Sequence, residues 1–332
     1  MDKDYPPYTL TNIMINYISD ITRKITEIDY LNLDKKPELR KQNRINSIYS
    51  SLAIEKNPLS RKQVEDIIDG KIVMGKQKDI QEVKNAYMAY ERISSINPYS
   101  VEDLKDTHEI MTFLIQDDNG KFRNHGEAVY NGDKMIFLAP PHNRVPELMD
   151  NLFEWMNKYK KTVHPLILSS VFHYEFVFIH PFSDGNGRMA RLWQTAILSK
   201  WNVMFEYMPI ENIIKRHQQE YYKTINECDK IGNSTRFIEF MLKIIDETIE
   251  DLLKRSKNIE NNKDESLNIT EKEALDYIYK NEFVSTKELA EYLGKADRTA
   301  RRIVSVLLEK GLITWQGRDK NDPNIRYKKM SE

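Results

Sequence analysis

The segment LILSSVFHYEFVFIHPFSDGNGRMAR, residues 166–191, gives the clearest indication of how this chain folds. Its first half is mostly apolar, which predicts a buried helix. Pro181 ends that helix, because proline lacks the backbone N–H that a helix requires. A glycine-flanked loop at 185–187 then opens a second helix near Arg188. The segment therefore predicts two helices joined by a short loop that carries most of its polar side chains.

The loop, residues 180–191, combines side chains that together suit one kind of chemistry. Glycines that open a helix expose backbone N–H groups at the positive end of the helix dipole, which favours an anion such as phosphate. Arg188 and Arg191 are three residues apart and share a helix face. Asp184 is the kind of carboxylate that holds Mg²⁺ beside a polyphosphate. His180 titrates near neutrality and is the candidate general base. The pattern predicts a nucleotide site.

A plainer interpretation is a corner between two helices with a hydrogen-bonded histidine and surface arginines. The loop matches neither the Walker A pattern nor GxGxxG, so neither of those nucleotide-binding classes applies. The concentration of functional side chains in twelve positions favours the chemical interpretation.

The whole chain has the composition of an ordinary globular protein. It has 332 residues, enough for two or three domains, with 40% hydrophobic and 30% charged residues and a net charge of −1. The overall charge gives no support for a nucleic-acid or membrane partner. Cys228 is the single cysteine, which excludes an internal disulfide and fits a reducing cytoplasm. The start of the chain has no signal-peptide pattern and no apolar run spans a bilayer, so we expect a cytoplasmic protein.

Helical periodicity dominates the first 256 residues, as apolar residues recur every three to four positions. The predicted helices cover 9–31, a stretch up to Glu55, 60–69, 78–95, 100–116, 145–160, 165–179, 187–200, 210–228 and 236–256. One exception is 127–137, where Asn131-Gly132 predicts a β-hairpin turn. Residues 257–267 are polar and without period, which predicts a linker.

The residues after the linker predict a winged helix-turn-helix. Helices are expected at 270–280, from a Ser285–Glu288 capping box to Gly294, and from an Asp297 cap to Lys310, followed by two short strands. The expected recognition helix carries a basic cluster suited to DNA phosphates, namely Arg298, Arg301 and Arg302. Dimerisation or protein docking is the alternative role for such a module.

HPFSDGNGRMAR, residues 180–191, fits the motif HPFx(D/E)GNGRxxR at every defined position, and the chain thereby resembles the Fic family. The resemblance runs from about residue 8 to 256. It implies a mainly α fold, a Fic-type helical bundle with a small β-hairpin flap, followed here by the winged helix-turn-helix domain. It also implies transfer of AMP from ATP to a hydroxyl of a target protein or of the enzyme itself.

The resemblance assigns roles within the motif. His180 would deprotonate the target Ser, Thr or Tyr hydroxyl, and Asp184 would hold Mg²⁺ between the α- and β-phosphates. Arg188 would balance phosphate charge. The groups expected to cradle or contact ATP are Asp184, Gly185, Asn186, Gly187, Arg188, Arg191 and, in an adenine pocket, Tyr222. The flap residues expected to bind a target segment are Val129, Tyr130, Met135 and Ile136.

SLAIEKN, residues 51–57, resembles the inhibitory motif (S/T)xxxE(G/N) of the same family. Ser51 and Glu55 are one helical turn apart, and the resemblance implies that Glu55 pairs with Arg191 and excludes the γ-phosphate. Lys56 departs from the glycine that many relatives have, and lysine adopts positive φ only at a cost. We therefore expect weaker inhibition.

The predicted domains are an N-terminal helical region at 1–99 with the inhibitory helix at about 43–57, a catalytic core at 100–256, the linker and the winged helix at 268–332. The predicted partners are a target protein, DNA through the winged helix and a second copy of the chain, with no membrane. Two alternatives stay open. One is a DNA-binding regulator whose core senses nucleotide, and the other is removal of AMP or transfer of UMP, phosphate or phosphocholine.

Overall fold

The computed structural model describes residues 6–30, 37–131, 134–265, 267–318 and 325–330. The chain divides into two compact units, Met1–Glu250 and Asp251–Glu332. No helix among the described residues is long and apolar enough to cross a membrane.

The first unit is helical, as the periodicity predicts. Its helices are α1 (Asn12–Tyr30), α2 (Pro37–Ile54), α3 (Arg61–Ile68), α4 (Gln77–Glu91), α5 (Val101–Thr112), α6 (Val145–Tyr159), α7 (Pro165–Ile179), α8 (Asn186–Trp201), α9 (Ile210–Arg216), α10 (Gln218–Ile231) and the start of α11 (Thr235–Glu265). Short 3₁₀ turns lie at Ile93–Ser95, His142–Arg144 and Val203–Tyr207.

Helix α7 lies at the centre of this unit because its sequence is apolar all round. Its buried side chains include Leu166, Val171, Phe172 and Phe176. Burial of each large side chain stabilises the fold by about 1.5–3 kcal/mol. A helix that is hydrophobic on every face has to be surrounded by others. The loop after α7 is therefore held in a fixed place.

Local signals account for several helix ends. Ser60 and Gln63 form a capping box at the start of α3, and Ser100 caps α5 by accepting the Asp103 N–H. Helix α5 ends at Thr112, earlier than the predicted 116. The chain turns there because Leu114 has a φ of 59°, which no α-helix accommodates.

The predicted hairpin is present as two antiparallel strands, β1 (Ala128–Asn131) and β2 (Lys134–Leu138). Ala128 pairs with Leu138 and Asn131 with Lys134. The other half of the predicted turn, Gly132, and the side chains of Val129, Tyr130, Met135 and Ile136 lie outside the described part of the chain. Their role as flap residues stays a prediction.

The predicted linker differs from the structure. Helix α11 continues to Glu265, so most of residues 257–267 are helical, and Leu267 is buried in the core of the second unit. Polar composition predicted an irregular segment, but lysine, glutamate and asparagine can extend a helix that an apolar stretch has already nucleated. The predicted domain boundaries themselves stay predictions.

The second unit has the predicted three helices, α12 (Ile269–Lys280), α13 (Thr286–Leu293) and α14 (Asp297–Glu309). Ser285 and Glu288 form the expected capping box, and Gly294 ends α13 in the left-handed conformation. Asp297 is not the cap of α14. Ala296 takes that position without a side-chain bond, and Asp297 is the first helical residue.

A three-stranded antiparallel sheet completes this unit, in the order β3 (Val284–Ser285), β5 (Arg326–Lys329), β4 (Ile313–Gln316). The sequence predicted β4 and β5 and missed β3, which is only two residues long and has no alternation to detect. Three helices with this sheet form a winged helix-turn-helix.

Candidate active site

The loop between α7 and α8 is closed by its own side chains. His180 ends α7 in the left-handed conformation, with a φ of 52°. The amide of Asn186 accepts the N–H of Phe182 at 3.0 Å and donates to the carbonyl of Phe182 at 2.7 Å. Helix α8 therefore begins at Asn186 rather than near Arg188. The Asn186 side chain is committed to the loop, so only its backbone is available to a phosphate.

The start of α8 presents backbone N–H groups in a narrow space. Met189 donates the first bond within the helix, to the carbonyl of Gly185. Gly185 has a φ of 83°, which favours glycine. A Cβ on Gly187 would collide with the Glu55 carboxylate and lie 3.2 Å from Nη1 of Arg191. Glycine at 187 is thus required by close approach, and a carboxylate already lies over the helix start.

Asp184 and Arg188 form an ion pair at the mouth of the loop. Arg188 Nη2 lies 2.9 Å from Asp184 Oδ1, and Gln116 donates to Asp184 Oδ2 at 3.2 Å. Burial would raise the pKa of Asp184, but Arg188, Gln116 and the Gly185 N–H lower it below its usual value. Asp184 is therefore ionised at neutral pH and available to a cation.

The His180 ring is oriented by the helix that precedes it. Its Nδ1 lies 3.2 Å from the carbonyl oxygen of Val177, which can only accept a hydrogen bond. Nδ1 therefore carries the proton, and Nε2 has a free lone pair. Burial lowers the pKa of His180, partly offset by the Val177 carbonyl. His180 is neutral at pH 7 and can accept a proton through Nε2.

Glu55 and Ser51, at the end of α2, hold the Arg191 side chain. The Arg191 side chain is 1% exposed and donates to Oε1 of Glu55 at 2.8 Å, while the Glu55 side chain is 36% exposed. Arg191 also donates through Nε to the Ser51 hydroxyl and through Nη2 to the Ser51 carbonyl, each at 3.0 Å. Burial would lower the pKa of Arg191, but Glu55 raises it overall. The predicted contact between Glu55 and Arg191 is present.

Glu55 is placed by the end of α2. Asn57 donates its N–H to the carbonyl of Leu52, and Lys56 donates to Ala53, which is a Schellman motif. Lys56 occupies its left-handed position, with a φ of 67°. Lysine thus adopts a backbone conformation that favours glycine, at a cost of about 1–2 kcal/mol.

A cavity of about 270 Å³ opens beside His180 and Arg191. Tyr222 lines it and is 42% exposed, whereas its neighbour Tyr221 is buried and bonded to His173. Tyr221 lines the same cavity, and Tyr222 is the more exposed of the two rings. The other lining residues are Glu55, Val177, Phe178, Gly187, Ile225, Asn226 and Asp229.

Sequence reasoning missed several residues that hold the site. His108 stacks on Phe182 with ring centroids 3.6 Å apart, and its Nε2 lies 2.9 Å from the Asp184 carbonyl. Arg123 is buried and donates to the carbonyls of His180 and Pro140. His108 lies 76 residues from Asp184 and Arg123 lies 57 residues from His180, and their sequence surroundings carry no motif.

Glu82 is a further missed residue. Its Oε2 accepts the Asn57 amide at 2.8 Å, and its Oε1 lies 3.8 Å from Nη1 of Arg188. Glu82 thereby lies between the end of the predicted inhibitory motif and one of the arginines on α8.

In the second unit, α14 buries one face and exposes the predicted basic cluster. Ala300, Ile303, Val304 and Leu307 form the buried face. The arginines on the exposed surface are Arg298, Arg301 and Arg302.

Known protein families match both units of the chain. The Fic/DOC family model matches residues 98–198, and a winged helix-turn-helix DNA-binding model matches residues 267–314. The protein adenylyltransferase Fic of Aedes aegypti is 29% identical over 216 residues, and that of Drosophila melanogaster is 26% identical over 212. The Aedes match covers 62% of this chain and 41% of the relative, so the chain spans about two fifths of its length.

Solved structures extend the likeness to the full chain. A Fic family protein from Desulfovibrio desulfuricans is 35% identical, with a TM-score of 0.73, and the match covers 99% of both chains. A Fic domain protein from Bacteroides thetaiotaomicron, 20% identical with a TM-score of 0.61 over 74% of this chain and 98% of the other, shares the fold. Sequence motif, helical arrangement and full-length match together place this chain in the Fic family.

Proposed function

We propose that the chain is a protein adenylyltransferase that transfers AMP from ATP to a hydroxyl group, and that Glu55 restrains it. The main support is that the loop after α7 and the helix that it opens hold a neutral histidine, an ionised carboxylate and two buried arginines, with His180, Gly187 and Arg191 lining one cavity. Phosphoryl-type transfer depends mostly on positioning and charge stabilisation, and these groups supply both.

His180 would act as the general base. Its Nε2 accepts the proton of an incoming Ser, Thr or Tyr hydroxyl, while Nδ1 stays bonded to Val177. The hydroxyl oxygen then forms a bond to the α-phosphorus as the bond to pyrophosphate breaks. The bond of Arg123 to the carbonyl of His180 keeps the residue in place for this step.

The start of α8 would bind the phosphates. Arg188 supports this role because its guanidinium is buried, and its Nε and Nη1 have no hydrogen-bond partner among the described residues. A buried guanidinium with free N–H groups is stabilised by an anion. The backbone N–H groups at 186–188 and the helix dipole add to the attraction.

Asp184 is the group that would hold Mg²⁺. The fit is adequate, because Asp184 is ionised and its side chain is 35% exposed, and Mg²⁺ in nucleotide sites needs only one or two protein carboxylates. To bind a cation, Asp184 Oδ2 would release Gln116. When bound, Mg²⁺ would supply positive charge that offsets the negative charge of the phosphates.

Glu55 would inhibit by occupying the phosphate space. Its carboxylate lies over Gly187 and bonds to Arg191, which are the groups that an ATP phosphate would use. Two anions cannot share that place, so ATP would bind with its α-phosphorus displaced from His180. The left-handed Lys56 costs the inhibited conformation some stability, so its inhibition should be weaker than with glycine.

Transfer of label from α-phosphate-labelled ATP to protein tests the proposal. His180→Asn should abolish labelling, and asparagine is preferred to alanine because it tolerates the left-handed backbone at this position. Glu55→Gln should increase labelling, since it keeps the shape and removes the charge. His142→Asn, an exposed histidine outside the cavity, is the matched control and should label as the wild type does.

Absence of label in every variant, despite ATP binding, would overturn the proposal. Label from γ-phosphate-labelled ATP or from UTP would indicate transfer of another group. Release of AMP from a labelled target would indicate the reverse reaction.

For the second unit we propose DNA binding through α14. The observation in its favour is the exposed position of Arg298, Arg301 and Arg302 opposite the buried face of the helix. Fluorescence anisotropy with a labelled duplex measures this directly. If the wild-type chain and the triple arginine-to-glutamine variant bind the duplex equally, α14 does not touch the DNA, and docking to protein becomes the better interpretation.

A further inference from the structure

A second and larger cavity lies in the first unit, away from the ATP site. Its volume is about 490 Å³, within the range of about 300–1,000 Å³ found for small-molecule sites. It is lined by the N-terminal half of α2, the end of α3, α4 and the 3₁₀ turn at 203–207. The lining residues are Pro37, Arg40, Lys41, Arg44, Ile45, Ile68, Asp69, Tyr87, Glu91, Glu206 and Tyr207.

Most charges in this cavity already have partners. Arg44 is 8% exposed and pairs with Glu206 at 3.0 Å and with Glu91 at 3.4 Å. Lys41 pairs with Asp69 at 2.6 Å. Each of these three carboxylates in the lining therefore has a cationic neighbour, so the cavity is poorly suited to a cation.

Arg40 is different. Within the described ranges it has no carboxylate partner, and its Nε is buried without a hydrogen bond. Its Nη1 makes a long contact with the Tyr207 hydroxyl, at 3.5 Å, and its guanidinium lies 5.3 Å from the centre of the Tyr207 ring. A guanidinium in this state favours an oxyanion that can accept two parallel N–H bonds.

The rest of the lining determines the charge and shape of the ligand. Among the described residues, one cation of the lining has no carboxylate partner, which calls for one negative charge, and a dianion would be repelled by Asp69, Glu91 and Glu206. The rings of Tyr87 and Tyr207 line the same space and favour a flat partner. We propose that this cavity binds a small aromatic monocarboxylate through Arg40.

The position of the cavity gives this ligand a regulatory role, which rests on the function proposed above. Arg40 and Glu55 belong to the same helix and its cap, about 22 Å apart at 1.5 Å per residue. A ligand between α2 and the 3₁₀ turn would hold α2 in its present position, with Glu55 against Arg191. A ligand that binds one of two states shifts the population toward that state. Occupation of the cavity should therefore strengthen inhibition.

Binding of 1-naphthoate to the full chain, followed by its fluorescence, tests the site without reference to catalysis. We expect one saturable site, and much weaker binding of 1-naphthalenemethanol, which has the same rings and no charge. Arg40→Gln should weaken binding about tenfold or more, as removal of a bidentate charged interaction does. Lys41→Gln removes the same charge from the same cavity, but from a paired residue, and should change binding less than about twofold.

Equal binding to wild type and Arg40→Gln, or an equal reduction in Lys41→Gln, would overturn the site. If Arg40→Gln does not fold, Tyr207→Leu replaces it, with affinity expected to fall several-fold because the ring is missing.

For the regulatory part, saturating 1-naphthoate should lower AMP transfer by the wild type several-fold and leave AMP transfer by Glu55→Gln unchanged. Binding through Arg40 with no change in transfer would overturn only that part. Absence of transfer in every variant would count against the proposed function, while the binding result would still decide the site.

Discussion

Helices α8 and α14 both carry arginines near their starts, yet the two sets are placed in opposite ways. Arg188 and Arg191 on α8 are buried and contact acids of the same chain. The arginines of α14 lie on the surface. A buried cation needs a fixed anion beside it, so α8 forms a site of definite shape whose position can be taken by an internal carboxylate. An exposed cation binds a polyanion loosely and in a salt-dependent way.

The largest expected effect comes from removing a buried cation. Arg188→Met roughly keeps the length of the side chain and removes both its charge and its bond to Asp184. We expect AMP transfer to fall by about 10²–10³-fold, the usual cost of removing a preorganised charge at a transition state. Arg302→Met is the matched control on α14 and should label normally. If both variants transfer AMP equally, the buried arginine of α8 has no greater role in the reaction than the exposed arginine of α14.

The second prediction concerns pH and the buried histidine that supports the loop. His108 accepts the Gly120 N–H through Nδ1, so its Nε2–H donates to the Asp184 carbonyl, and only the neutral ring satisfies both. Burial lowers its pKa to about 4 from 6.5, partly offset by the Asp184 carbonyl. Below pH 6.5 the unfolded chain takes up this proton first. The contribution of the neutral His108 ring to the free energy of unfolding is therefore complete above pH 6.5 and is lost as the pH falls toward 4.

The decrease should amount to about 3 kcal/mol of unfolding free energy from this one group. Denaturant unfolding between pH 7 and pH 4 measures it. His108→Asn should show a shallower dependence than the wild type, and His142→Asn, which is exposed, should match the wild type. Identical slopes in all three would mean that His108 is not held neutral by the loop.

The exposed arginines of α14 should make any DNA binding depend on salt concentration. If α14 binds DNA, replacing Arg298, Arg301 and Arg302 by glutamine should reduce the slope of log affinity against log salt by about 0.9 for each phosphate that is no longer neutralised. ATP-dependent labelling should be unchanged. Lys223→Gln, an exposed charge in the first unit, is the control and should leave the slope as it is. An unchanged slope in the triple variant would rule out binding of DNA phosphates by these arginines.

The smallest expected effect tests how firmly Glu55 is held beside Arg191. Lys56→Gly relieves the left-handed backbone and should stabilise the chain by about 1 kcal/mol. It should also lower AMP transfer, because the inhibited conformation gains that stability. Lys84→Gly, in the middle of α4, should destabilise the chain by a similar amount, since glycine is unfavourable inside a helix. The two changes therefore have opposite expected signs, which thermal unfolding can distinguish.

The local features of this protein can be predicted from its amino-acid sequence. Apolar periodicity predicted the helices, the Asn131-Gly132 pair predicted the hairpin, and the Ser285 capping box and Gly294 predicted the start and end of α13. The motif at 180–191 and the motif at 51–57 identified the candidate site residues. These signals are readable because turns, caps and helix faces depend on neighbours within a few positions.

The identity of the distant side chains that hold the site depends on how the helices pack. His108, Arg123 and Glu82 come from three different segments, and each lies beside a partner that no local pattern records. The same holds for Arg40, since its lack of a carboxylate partner among the described residues depends on how α2 packs. Burial and pairing arise from the packing of whole helices, and charge becomes chemically specific only where water is excluded.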